Sequence, residues 1–372
     1  MRPASSQVAA VLAIAAAGCT ETPEPVTRCV AGLELDAPLL VLESDLATAS
    51  ALARVDTDGC VTERSSVALG GDPSLAVSHG RYFVSIRDRS RIAEVDPSGP
   101  WLVEGGQFDV PPVEAVTNPH DVAVASDGTL WVPRYNLTSL AVLAEGGALL
   151  GEIDLSAYAD DDGIPEMESA IAIGDRVYVA LERLSWTGSR YEALHDSLIV
   201  VLDVASRSVV GTIPLGGRSP FGRLVPDPND GSVFYATVPG TFDSIDERDG
   251  IERIDTRTQS SELVIGEAAL GGSPSEIAIA SATEAYAIIA IEADSNDTSL
   301  VRFHPGTGEV EGIWATTTGE YGLWGLAVAG KDVVVGDRER TAPRLRIFDR
   351  ESGTERGSIP LGVLPPVSIT TL

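Results

Sequence analysis

Hydrophobic positions in this chain come in short bursts rather than long stripes. Past the N-terminal leader, no stretch keeps a helical apolar period over several turns, so amphipathic helices are not predicted. Residues 118–155 show the usual order. An apolar run at 122–125 (VAVA) meets the turn Ser126-Asp127-Gly128, and Asp-Gly is a strong signal for a tight hairpin. A second run follows at 129–133 (TLWVP), then a longer loop, then 140–143 (LAVL). Gly146-Gly147 turns the chain into a fourth run at 149–155. Short runs bounded by turn residues predict antiparallel strands, here in a group of four.

The group repeats. Segments 67–77 (VALGGDPSLAV), 213–225 (IPLGGRSPFGRLV), 268–279 (AALGGSPSEIAI) and 359–370 (IPLGVLPPVSIT) share one pattern: a strand end, a Leu-Gly turn and a new apolar strand. Further units begin near 118, 168 and 321, so the period is about 50 residues. Four short strands per unit at that period predict an all-β fold, a β-propeller with seven blades of four antiparallel strands. The ends complete the count. Three strands, at 39–42, 51–55 and 61–69, precede the first full unit, and one, at 367–371, follows the last. They predict a closing blade shared by both ends, within a single domain over 36–372.

The first residues read as an address. Residues 1–18 predict an export signal, with Arg2 as a positive start and an apolar run at 8–17 too short to span a bilayer. Ala16-Ala17-Gly18-Cys19 resembles the bacterial lipobox, although Ala16 stands where that motif favours leucine. The resemblance implies that Cys19 is lipidated and opens the mature chain. Ordinary cleavage after Ala15-Ala16-Ala17 is the competing outcome and would leave no anchor. Cysteine arithmetic favours the lipid. With Cys19 acylated, Cys29 and Cys60 can form one disulfide and no thiol is left over. Residues 19–35 then form a polar, proline-bearing tether.

Charge narrows the partners. With 55 acidic and 26 basic residues the net charge is -29, which excludes coating a phosphate backbone and argues against a polybasic contact with lipid. The four histidines, His79, His120, His195 and His304, show no zinc spacing, and no P-loop, nucleophile elbow or dinucleotide fingerprint is present.

The segment NPHDVAVASDGTLWVPRY (118–135) resembles the repeats of the NHL, YVTN and streptogramin-lyase-like propellers. Residues 154–183 resemble a segment of propeller lipoproteins from myxobacteria, a group without a settled activity. These repeats imply a fold that hosts enzymes, receptors and scaffolds alike. Lyases of the fold use a channel histidine with a carboxylate. His120, at the start of an inner strand, is the candidate acid or base here, with Glu168 as its candidate carboxylate.

Other candidates come from loops expected at the channel face. Arg87, Arg89, Arg134, Tyr135, Asn136, Glu182, Arg183, Arg338 and Arg340 recur where second strands end. They predict a ring of guanidinium groups facing a carboxylate, a phosphate or an acidic partner. The competing arrangement pairs each arginine with an acid of its own rim. Asp160, Asp162 and Glu166 lie on a Gly-bearing acidic loop that suits Ca or Mg, although the EF-hand spacing fails. The loop 184–196 carries Trp186, Tyr191 and His195 and is expected to overhang the channel.

Together these readings predict a monomeric, exported protein, lipid-anchored to the outer membrane on its periplasmic or cell-surface side. Its membrane contact would be the lipid alone, and it would bind an envelope protein, peptide or glycan without catalysis, cofactor or nucleic acid. The alternative is a channel-centred lyase or hydrolase, assisted by Ca or Mg. An enzyme should bring three or more polar residues together in the channel mouth.

Overall fold

The computed structural model describes residues 26–65, 69–99, 101–112, 116–242, 244–291, 297–319 and 322–372. Cys19 and the export signal lie outside the described residues, as do residues 66–68 of the strand expected at 61–69. The chain is a seven-bladed β-propeller. Seven sheets carry the propeller; six have four antiparallel strands in chain order from the centre outward, and the closing blade adds a fifth strand at its outer edge.

Blade 1 is the closing blade. Its innermost strand is the C-terminal Pro366–Thr371, followed outward by Leu39–Ser44, Ser50–Val55 and Cys60–Ser65. Val26–Cys29 adds a fifth strand outside Cys60–Ser65, in a register that sets Cys29 opposite Cys60. These two cysteines form a disulfide. Part of the segment expected as a loose tether is therefore strand, because backbone groups on an open sheet edge find partners there.

Blades 2 to 7 follow in order. Their inner strands are Pro73–Ser78, Ala123–Val124, Met167–Ile173, Phe221–Pro226, Ser273–Ser281 and Leu323–Ala329. The sheets stack face to face, and one apolar cluster fills each of the seven spaces between neighbours. Ala125, Trp131, Val142, Met167, Val179 and Leu202 fill the space between blades 3 and 4. Leu40, Leu52, Leu75 and Val84 lock blade 1 onto blade 2. The strands alternate which side they load, so each blade is apolar on both faces. Inner strands consequently present only their edges and a few irregular positions to the central channel.

Candidate active site in the channel

Irregular positions build the site. In blade 4, Met167 pairs with Leu181 and Ser169 with Ala180, so Glu168 is the extra residue of a β-bulge. A bulge leaves its residue outside the ladder and re-aims its side chain. In blade 3, His120 precedes the short inner strand. Its amide donates to the Pro133 carbonyl at 3.2 Å, and its own carbonyl accepts from Ser74 Oγ of blade 2 at 2.7 Å. Two residues before each of these lies a left-handed residue, Asn118 at φ 51 and Glu166 at φ 44, which swings the chain into the channel wall.

The two side chains meet. His120 Nδ1 lies 2.6 Å from Glu168 Oε2, and each side chain is 10% exposed. Glu168 Oε1 also accepts from the Gly222 amide of blade 5 at 2.8 Å. On the other ring nitrogen, Arg87 Nη1 approaches His120 Nε2 at 3.4 Å. A guanidinium can only donate, so this contact assigns the lone pair to Nε2 and the proton to Nδ1, which faces the carboxylate. Arg87 is itself paired with Asp72. Tyr135 stacks on the imidazole, with ring centroids 4.2 Å apart and planes at 16°. The Tyr135 hydroxyl donates to Glu182 Oε2 at 2.5 Å.

The electrostatics sort these groups. Burial works to raise the Glu168 carboxyl, but His120, the Gly222 amide and Arg87 together hold it below its usual value. Glu182 is pushed well above the carboxylate range by burial and by the charge of Glu168. Burial, with Glu182 beside it, pushes the Tyr135 phenol upward, so its hydroxyl keeps its proton. The two carboxyls are thus pushed apart, the one on the imidazole toward its ionised form and the one behind the tyrosine toward its protonated form.

All of these residues border a cavity of about 790 Å³ in the channel, along with Phe221, Phe242, Trp324, Ile277 and Ile369. Its wall is mainly apolar, which strengthens the charge interactions inside.

Of the predicted arginines, only Arg87 borders the cavity. Arg134 is fully buried in the rim, bonded to the Ser139 carbonyl and paired with Glu152. Arg89 lies near Asp88, Arg183 donates to the Asp196 carbonyl, and Arg338 stacks on Trp324 at 4.9 Å. Arg340 and Asn136 are exposed, and Asn136 binds Asn118. The expected ring therefore does not assemble. The turns after the second strands differ from blade to blade, and each sends its arginine to a different neighbour.

Asp160, Asp162 and Glu166 do converge, with ligand oxygens within 4.8 Å of one another. Burial and the charges of Asp162 and Asp160 push Glu166 up to about 9. An oxygen-only set of this kind could hold a hard cation. Ser185 and Leu184 bond to Asp160 and Glu166, which ties the acidic loop to the overhanging hairpin of Ser185–Trp186 and Tyr191–Glu192. Trp186 is 51% exposed and packs edge-on to Tyr191, which reaches the cavity.

Sequence reasoning missed Arg223, which borders the cavity from the middle of a blade 5 inner strand. An arginine in the middle of FGRLV, where the units at 73 and 273 carry Leu75 and Ile277, was the available signal.

No family model and no curated protein matches the chain. Solved structures do. Hydrazine synthase of Kuenenia stuttgartiensis is 18% identical over 80% of this chain and 88% of its own, with a TM-score of 0.55. A streptogramin B lyase is 16% identical over 80% and 86%, with a TM-score of 0.53. A virginiamycin B lyase from Staphylococcus aureus, solved with quinupristin as a catalytically inactive histidine-to-alanine variant, is 13% identical over 73% and 78%, with a TM-score of 0.50. These neighbours share the fold. At such identities they establish nothing finer than a β-propeller, and they include enzymes.

Proposed function

We propose that the channel is an acid–base active site and that this protein is a lyase. The observation that carries the reading is the His120–Glu168 pair beside Arg87 in an apolar cavity. A substrate carbonyl that draws Arg87 off His120 Nε2 frees that nitrogen to take a proton from the adjoining carbon. The electron pair left behind forms a double bond as the bond to the leaving oxygen breaks. Glu168 stabilises the imidazolium, and Arg87 sits where the negative charge collects. Tyr135 holds the ring flat for this transfer. No serine, threonine or cysteine hydroxyl or thiol is hydrogen-bonded to Nε2 among the described residues, which favours proton abstraction over a covalent hydrolase. The virginiamycin B lyase, inactive without one histidine, supports the reading by analogy.

The test is turnover of an envelope extract, followed by mass spectrometry. Compounds should disappear with the wild type and persist with His120→Ala or Glu168→Gln, whose rates should fall at least about 100-fold. Equal depletion by wild type and His120→Ala would overturn the reading. The same assay with and without a chelator decides whether Ca or Mg at Asp160, Asp162 and Glu166 takes part. A second reading, recognition of a protein, peptide or glycan without turnover, draws support from the exposed Trp186 and Tyr191 pair, of which Tyr191 borders the cavity.

The proposed setting is the cell envelope. The Cys29–Cys60 disulfide suits an oxidising compartment, and no helix among the described residues is long and apolar enough to cross a membrane. Lipid on Cys19 would supply the anchor. Cys19→Ala should move the protein from the membrane to the soluble fraction; a variant that stays with the membrane would overturn the anchor.

A further inference from the structure

Arg223 sits on the inner strand of blade 5, and Gly222 before it takes φ 71, in a stretch where the pairing shifts between Phe221 and Val225. That irregularity turns the guanidinium into the channel. Its Nη2 reaches the Val77 carbonyl of blade 2, on the far side of the channel, at 3.4 Å. This single hydrogen bond is long. Among the described residues no carboxylate makes an ion pair with Arg223.

The nearest acids are already engaged elsewhere. Asp121 accepts from the Ala170 amide at 3.0 Å and the Val122 amide at 2.8 Å. Glu276 accepts from the Gly325 amide at 3.0 Å. Both join neighbouring blades through backbone groups and influence Arg223 only from a distance. Most of the arginine's N–H fork therefore borders the cavity unused, although a guanidinium matches a carboxylate in a two-pronged contact.

We propose that Arg223 is a specificity residue that binds the carboxylate of an amphiphilic, mostly apolar substrate. The walls beside it are apolar, with Ile277, Ile279, Val328 and Ile369 among them.

Calling the bound molecule a substrate rests on the lyase reading; the carboxylate site itself does not.

The experiment measures binding of phenylbutyrate and its uncharged amide to the full chain by calorimetry. Wild type should bind the carboxylate about tenfold more tightly than the amide. Arg223→Gln should remove that preference while leaving amide binding unchanged, and Arg223→Lys should retain part of it. The amide arm shows that the Gln variant is folded. His120→Ala should keep the full preference even if it abolishes turnover, which separates this site from the dyad. Equal binding of acid and amide by wild type, no binding of either, or a preference that survives Arg223→Gln would each overturn the proposal. A preference lost in His120→Ala would place the anion at the dyad and overturn it as well.

Discussion

Glu276 shows how a single residue couples this fold to pH. Burial pushes its carboxyl from an ordinary 4.5 up to about 7, against the opposing pull of the Gly325 amide and Arg223. The folded chain therefore keeps this proton at pH values where the unfolded chain has lost it. Stability from this group is present below about 4.5 and declines as pH rises toward about 7, by an upper bound of about 3 kcal/mol. Glu276→Gln keeps an acceptor for the Gly325 amide and removes the titration. Thermal unfolding of wild type should show Tm falling between about pH 5 and pH 8, and the Gln variant should show a flatter profile and a higher Tm at about pH 8. Parallel profiles for the two proteins would remove Glu276 as the cause. Asp45 and Asp255, held down to about 2, act in the opposite sense at acid pH. At this scale the sequence was partly legible. His120 and Glu168 stood out because strand starts face the channel. Arg134 and Arg338 misled because a long side chain at a strand end can turn several ways, and only its neighbours choose.

Strands and turns were the most legible elements, since period-two patterning and Asp-Gly or Gly-Gly turns are local signals. Two kinds of element were not. The bulge at Glu168 and the pairing shift in the Arg223 strand depend on which residue of the adjacent strand is opposite, and no local pattern states that. The edge strand Val26–Cys29 was also hidden, because its partner Cys60–Ser65 lies far along the chain. The disulfide was legible once the lipobox resemblance set Cys19 aside and left a single pair. It closes a loop of 31 residues, for which chain entropy gives about 4 kcal/mol. Reduction should lower Tm by several degrees and free Val26–Cys29 from the sheet. Thermal unfolding with and without reductant, compared with the Cys29→Ser, Cys60→Ser double variant, measures this. An unchanged Tm would show that the edge strand holds without the bond.

At the scale of the whole molecule, closure is the organising event. Pro366–Thr371 pairs with Leu39–Ser44, so the first and last described segments share one sheet. The apolar clusters on either side of that sheet join it to blades 2 and 7. Every blade then has two buried faces, and the ring cannot open without exposing a core. The sequence by itself determined the all-β class, the period, the blade number and the shared closing blade. Those follow from which residues prefer water and how often the preference repeats. Only the tertiary structure decided which polar side chains meet. His120 and Glu168 come from neighbouring blades, Arg87 and Tyr135 from two strand ends, and Arg223 from across the channel. Their distances depend on bulges, on blade stacking and on the width of the closed ring. Those are sums over the whole packed molecule rather than properties of any one segment.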